Sequence, residues 1–430
     1  MKPINDSILV FKFGGASVKS AEAINNVLNI LKLYKNRKIV VVVSAMGKTT
    51  NQLESLFEAT LNEEYDLFIS QKDALYDFHI DMINILFSGQ ACETIKHKID
   101  LIFDDITAFY QKQSDHSKSQ RYDTFISFGE HLSSLILQFK IEQDLEESQW
   151  SDARKLVKTD DQFQKANVNW QKSIELIKNH CLGALEANRI IVTQGFISSN
   201  NLGETTTLGR EGSDYSAGIF AHALDAESVT IWKDVPGMLN ADPKFFENTQ
   251  KLDRISFREA IELSYYGASV IHPKTLKPLQ NKQIPLYVKS FMNPTAEGTT
   301  IDVDTSNDHM IPSFIFKKNQ VLFSITPKDF SFLIEANLSD IFLKLSEAEV
   351  EINIMQNSAL SFSFLVDYDK NQIRAIIEQL SPSYEVKYNT ELELVTVRHY
   401  DKKTNDFVCK GKKILLQQRT RKTARFVLGK

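Results

Sequence analysis

Two stretches carry residues that could do chemistry together: Lys12-Phe13-Gly14-Gly15-Ala16-Ser17 near the start, and Gly209-Arg210-Glu211-Gly212-Ser213-Asp214-Tyr215-Ser216 at mid-chain. The second follows the apolar run Ile190-Ile191-Val192-Thr193-Gln194 and precedes an Ala-rich helical pattern, so it falls where a buried strand gives way to a helix. At such a junction backbone N–H groups and the positive end of a helix point at an anion. Gly209 and Gly212 let backbone approach a ligand, Arg210 can grip a carboxylate or phosphate with two parallel hydrogen bonds, and Ser213 and Asp214 are read as polar helix caps. An ordinary capped helix after a polar loop would leave the same trace.

The first stretch repeats this chemistry. Ile8 to Phe13 reads as a buried strand, and Lys12 beside two glycines at a helix start suits a phosphate cradle. The alternative is a tight strand-to-helix turn with a snorkelling lysine; a Walker A sequence it is not. Residues 38–43 form a second unbroken apolar strand ending in Ser44-Ala45-Met46-Gly47, with Thr50 beyond. Ligands in open α/β sheets bind at such strand ends. Residues 51–116 read as helical scaffold. Residues 123–128 are a short segment leading to Gly129-Glu130, where Glu130 is either an acid matched to a helix dipole or a ligand for an ammonium group. Residues 229–232 are a strand followed by Lys233-Asp234-Val235-Pro236-Gly237 and Asp242-Pro243-Lys244, a rigid polar loop at another strand end. Ser256 with Glu259 reads as a capping box.

These elements imply an α/β fold over residues 1–301. Residues 302–311 read as a linker. From 312 to 430 the order changes to βαββαβ, a ferredoxin-like α+β arrangement, followed by strands too few and too short for a second complete unit. The basic run 410–422 reads as a solvated edge.

Composition narrows the function classes. Hydrophobic residues make up 42% and charged residues 24%, with a net charge of −5, which argues against nucleic acid or an anionic membrane as partner. The start of the chain has no signal-like pattern, and no apolar run has the length of a membrane span. Three scattered cysteines and unclustered histidines suit a reducing cytoplasm and leave any metal to arrive with a substrate.

Taken in order, Lys12-Phe13-Gly14-Gly15-Ala16-Ser17-Val18, Val43-Ser44-Ala45-Met46-Gly47, Phe128-Gly129-Glu130, residues 209–217, Lys233 to Gly237 and Gly267-Ala268-Ser269-Val270-Ile271-His272-Pro273 resemble the aspartate kinase branch of the amino-acid kinase family. The resemblance implies a three-layer αβα sandwich with a mainly parallel sheet, followed by an ACT-like regulatory and dimerisation domain with a truncated second unit. It implies transfer of the γ-phosphoryl of MgATP to the side-chain carboxylate of L-aspartate, the first step towards lysine, threonine and methionine. By the family pattern Lys12 and Asp214 are catalytic, and Phe13, Gly14, Gly15, Ser17, Lys233, Asp234 and Lys244 join Lys12 around ATP and its Mg2+. Ser44, Thr50, Glu130, Arg210 and Ser213 join Asp214 around aspartate. A lysine or threonine effector is implied, and the extra strands near the terminus predict that two chains pair into a homodimer through sheet edges.

Departures from the pattern are Lys233 for Thr, Leu239 for Tyr, Lys244 for Arg, Glu211 for Gly and Ser269 for Lys. Lys233 is the candidate to replace the cation missing at Ser269. Competing readings are a kinase of the same fold acting on glutamate, acetylglutamate, carbamate or UMP, and an amino-acid-binding protein without kinase activity.

Overall fold

A computed structural model describes residues 7–112, 115–145, 148–268, 271–329 and 331–430. The chain divides into two compact units: Met1–Met238, Lys251–Ile261 and Val270–Asp308 in one, and Leu239–Gln250, Glu262–Ser269 and His309–Lys430 in the other.

The first unit is built on an eight-stranded sheet. Its strands are β1 (Ile8–Phe13), β2 (Lys38–Val43), β3 (Ser148–Ser151), β4 (Ile190–Gln194), β7 (Ser228–Lys233), β8 (Arg254–Ser256), β9 (Leu286–Ser290) and β10 (Thr299–Asp302). A two-stranded hairpin, β5 (Ile197–Ser199) and β6 (Thr205–Thr207), stands apart from it. The sheet order is β3-β4-β2-β1-β7-β9-β10-β8, parallel throughout except for the β9/β10 pair. The unbroken apolar runs follow from this: β2, β4 and β7 are buried almost end to end because both faces of the sheet are covered. The fold is the expected αβα sandwich.

The sequence of pairing explains where a site can form. From β1 the chain builds outward to β2 and β4, then returns to add β7 on β1's other side. The carboxyl end of β1 is therefore a topological switch point, the place where connections diverge and leave a crevice. Successive side chains on a strand face opposite ways. Lys12 is thus part-exposed at the strand end, whereas Phe13 is fully buried and stacks on Trp232 with 6.2 Å between ring centroids.

Residues 51–111 are helical as expected, in Thr49–Leu61, Tyr65–Leu86 and Gly89–Gln111. The segment read as a short connection is instead the end of a helix, Lys118–Ile126, running almost directly into Phe128–Leu145. Ser256 closes β8, and its Oγ accepts the Glu259 N–H at 3.0 Å, half of the expected capping box.

The second unit is a six-stranded antiparallel sheet of β11 (Ser313–Pro327), β12 (Ile354–Asn357), β13 (Phe362–Asp367), β14 (Tyr384–Arg398), β15 (Lys413–Arg419) and β16 (Thr423–Gly429), in the order β12-β13-β11-β14-β16-β15. Helices Glu335–Glu347 and Lys370–Leu380 complete the ferredoxin-like βαββαβ set. β11 and β14 are each 15 residues long, and their register shifts between Lys317 and Leu322. An irregularity there twists the pair locally. Beyond it, the second half of β14, the helix Lys402–Cys409, β15 and β16 extend the same sheet. That last segment adds one helix to the strands expected there.

The division is also not a single cut at 301. Asp308 accepts from both the N–H and the Oγ of Ser256, tying most of the expected linker to the first unit. Residues 239–250 join the second unit because Phe246 stacks on Phe314 at 4.7 Å and Asn240 Nδ2 donates to the Pro312 carbonyl.

Candidate active site

A cavity of about 590 Å³ opens at the carboxyl ends of β1, β2 and β7. Its wall brings together Lys12, Ser44, Thr50, Glu130, Arg210, Ser213, Asp214 and Lys233, residues up to 221 positions apart in sequence. The strand ends and two helix starts account for this: Lys12 and Lys233 come from β1 and β7, Ser44 follows β2, and Glu130 and Asp214 lie in the first turns of Phe128–Leu145 and Gly212–Leu224.

Asp214 is the electrostatic centre. Lys12 Nζ lies 2.6 Å from its Oδ1 and Lys233 Nζ 3.9 Å from its Oδ2. The Asp214 side chain is only 4% exposed. Within this cluster two cations face one anion, so the cluster itself is net positive. The helix behind Asp214 adds to it. Its N-cap is Glu211, in the left-handed region at φ 55°, and makes no side-chain cap. The expectation that Ser213 and Asp214 cap this helix fails for that reason: both lie inside its first turn. The Gly212 and Asp214 N–H groups already donate to the Gly209 and Glu211 carbonyls, at 2.9 and 3.1 Å, so this helix start acts on an anionic ligand through the positive end of its dipole.

Glu130 has the opposite problem. It is 3% exposed; the Ala45 N–H donates to its Oε1 at 3.3 Å, and its Oε2 has no partner among the described residues. Burial pushes its pKa up to about 8, against the pull of the Ala45 and Glu130 backbone N–H groups and of Lys12. A buried carboxyl on a cavity wall with an unused oxygen is fitted to an incoming cation.

Glycine is required where the first loop meets the second. A Cβ on Gly15 would lie 2.7 Å from the Ala45 carbonyl oxygen, and one on Gly195 2.5 Å from the Ser213 Cβ. The contacts hold the β1 and β2 loops, and the β4 turn and the Gly212 helix, at backbone distance.

Other expected residues lie outside the cavity wall. Phe13 is committed to the aromatic core, so only its backbone could meet a ligand. Ser17 is buried in the short 3-10 turn Gly15–Val18. Gly14, Gly15 and Asp234 do not line the wall, Lys244 belongs to the second compact unit, and Ser269 lies outside the described residues.

Several residues on the wall carried no sequence signal. Glu54 accepts the Tyr122 hydroxyl at 2.7 Å, and both line the cavity with Gln164 and Lys165. Asp123 positions part of this wall. Its Oδ2 accepts the N–H groups of Gln164 and Thr207, and its Oδ1 accepts the Thr207 hydroxyl, each at 2.8 Å. Burial raises its pKa although these bonds oppose the shift.

The chain is similar to known proteins in both sequence and fold. Residues 7–290 match the model of the amino acid kinase family. The chain is 32% identical over 362 residues to lysine-sensitive aspartokinase 3 of Escherichia coli (strain K12), covering 84% of this chain and 78% of that protein. The crystal structure of E. coli aspartokinase III with aspartate and ADP, in the R-state, superposes with a TM-score of 0.83 at 28% identity, over 98% of this chain and 96% of that one. The T-state structure with lysine and aspartate gives 0.80 at 29% identity, over 98% and 95%.

Proposed function

The chain belongs to the amino acid kinase family, and from that premise we propose that it is an aspartate kinase, moving the γ-phosphoryl group of ATP to the side-chain carboxylate of L-aspartate. The observation that carries the choice of an amino-acid acceptor is Glu130: a buried carboxyl with a free oxygen, on the same wall as the cationic cluster.

The reaction needs little proton chemistry. The acceptor carboxylate is ionised at neutral pH, so no general base has to activate it. What remains is positioning and stabilisation of negative charge on the transferring group. Lys12 faces the phosphoryl group with its ammonium, and Asp214 fixes that ammonium and the Lys233 one in place. The helix start at Gly212 adds the positive end of its dipole. Glu130 takes the substrate's α-ammonium and Arg210 its α-carboxylate, with Ser44, Thr50 and Ser213 alongside. The Mg2+ that neutralises the triphosphate comes with it. The Phe13 to Ser17 turn contributes backbone to the nucleotide side, and Asp234 and Lys244 are assigned to the nucleotide loop by family pattern.

Lys233 carries the charge that relatives supply at the Ser269 position. Its ammonium lies on the cavity wall within 3.9 Å of Asp214. Lys233→Ala should raise the KM for ATP by about tenfold while leaving the KM for aspartate within about twofold. An unchanged ATP KM would sink this role.

The second unit is assigned to regulation and pairing. The E. coli relative is seen with lysine, so lysine is the first effector to test and threonine the second. Pairing is expected through sheet edges. β15 carries Lys413 and Arg419, charges that discourage edge contacts, whereas β12, Ile-Met-Gln-Asn, has none. Sedimentation at micromolar concentration should give a dimer; a monomer there contradicts the assignment. No helix among the described residues is long and apolar enough to cross a membrane. Cys92, Cys181 and Cys409 are free thiols, which suits the cytoplasm.

The deciding assay is ATP-dependent formation of aspartyl hydroxamate by the purified protein, with and without lysine and threonine. Turnover with aspartate is the expected result. Turnover only with glutamate, acetylglutamate or another acid would reassign the substrate, and none with any acid would leave an amino-acid-binding protein.

A further inference from the structure

A second cavity, of about 420 Å³, lies in the first unit against another face of the helix that carries Asp214. It is walled by the start of the helix Trp170–Ala187, by Tyr215 and His222 of Gly212–Leu224, and by Lys274 and Lys277 of Pro273–Lys282. Nothing in the proposed phosphoryl transfer uses it.

Its chemistry is one-sided. Lys274 and Lys277 are spaced i, i+3 and so project from neighbouring points on one helix face. Both are exposed, and none of the residues lining the cavity is acidic. In a chain of net charge −5, a cavity with two ammonium groups and no carboxylate is a local reversal of sign. The floor is aromatic. Trp170 meets His222 edge-on at 5.1 Å between centroids and Tyr215 at 6.3 Å. His222 is fixed in turn, because its Nδ1 shares a hydrogen bond with the Pro278 carbonyl at 2.9 Å. Rings beside cations present an apolar surface and a charge to one ligand at once.

We propose that this cavity is a second binding site, for a small organic anion carrying a flat ring. The ring would lie against Trp170 and the negative group between Lys274 and Lys277. Occupancy would be felt at the first cavity, since neighbouring residues of the same two segments line the two cavities. Residues 166–168 line the second and Gln164 and Lys165 the first, while Tyr215 directly follows Asp214 on one helix. An occupant therefore touches both the segment held by Asp123 and the helix that orients the charge cluster.

The test measures binding rather than turnover, so it does not depend on the kinase assignment. AMP and indole-3-acetate serve as probes of the two sources of such an anion, a nucleotide and an aromatic carboxylate. Each is titrated into the full chain, followed by calorimetry and by quenching of tryptophan fluorescence. At least one should bind with a Kd below about 1 mM. The same titration of Lys274→Glu/Lys277→Glu should weaken that Kd by at least about tenfold, Trp170→Phe should remove the quenching, and Lys12→Ala should leave the Kd within about twofold. Whichever probe behaves so identifies the source. Failure of both probes to bind would overturn the proposal, as would binding that Lys12→Ala abolishes and the charge reversal leaves intact. Both lysines are exposed, so an unchanged thermal midpoint of the double variant is expected and verifies that it is folded.

Discussion

Lys12→Ala should lower kcat by on the order of a thousandfold, with a smaller effect on either KM. The Lys12 ammonium is 12% exposed and sits 2.6 Å from a carboxylate that is itself almost fully buried. One unit charge at about 4 Å and an effective dielectric near 20 is worth roughly 4 kcal/mol, and each factor of ten in rate is about 1.4 kcal/mol. The charge acts mainly on the transition state, where negative charge shifts along the transferring group. A structural effect runs alongside: without Lys12, Asp214 keeps only the more distant Lys233 among its two lysine partners. Lys12→Met separates the two, because it restores the bulk and not the charge. If charge is what matters, Met and Ala lose turnover equally while Met recovers thermal stability. A loss below about tenfold in both variants would make Lys12 a structural residue.

The elements that could be read from sequence are those whose cause is local. β2, β4 and β7 are continuous apolar runs, and a run of that kind, bounded by loop residues, has one comfortable place in a parallel sheet. Because Lys12, Ser44 and Lys233 sit at or just beyond strand ends, the strand assignment alone carried them to one edge of the sheet. Glu130 and Asp214 followed from glycine-containing helix starts. What escaped depended on distant partners. Asp123 sits in an unremarkable helix, and its importance lies in bonds to residues 164 and 207. The β5/β6 hairpin is made largely of Ser and Thr, which read as loop until the two strands pair. Glu211 in the left-handed region displaced the helix cap from the expected Ser213 and Asp214, since a backbone angle of that kind leaves no mark on residue type. The assignment of residues 239–250 to the second unit rests on an aromatic stack formed by Phe246 and Phe314, 68 positions apart in sequence.

Glu130→Gln should raise the KM for aspartate by on the order of a hundredfold, and it should also erase a pH dependence that the unmodified protein shows. Amide for carboxylate keeps the shape and loses the charge that pairs with the substrate ammonium; breaking a buried, charged hydrogen bond of this kind costs about 3 kcal/mol. The pH effect follows from the free carboxyl, whose pKa burial raises from 4.5 to about 8. With the folded value above the unfolded one, the folded chain binds the extra proton between these limits. This group's contribution to stability is therefore fully present below pH 4.5 and is lost as pH rises towards 8. Substrate binding runs the other way. The ammonium of aspartate pairs with the ionised form, so below pH 8 binding must expel a proton. From pH 6 to 8 the KM for aspartate should fall by up to about tenfold per unit, while the acceptor carboxylate stays ionised throughout. Lys12 lowers the Glu130 pKa, so Lys12→Ala should move the inflection to higher pH, coupling the two halves of the site in one titration. A flat KM over this range in the unmodified protein, or a Glu130→Gln KM within about threefold of it, would leave Glu130 as a helix-start acid with no substrate to hold.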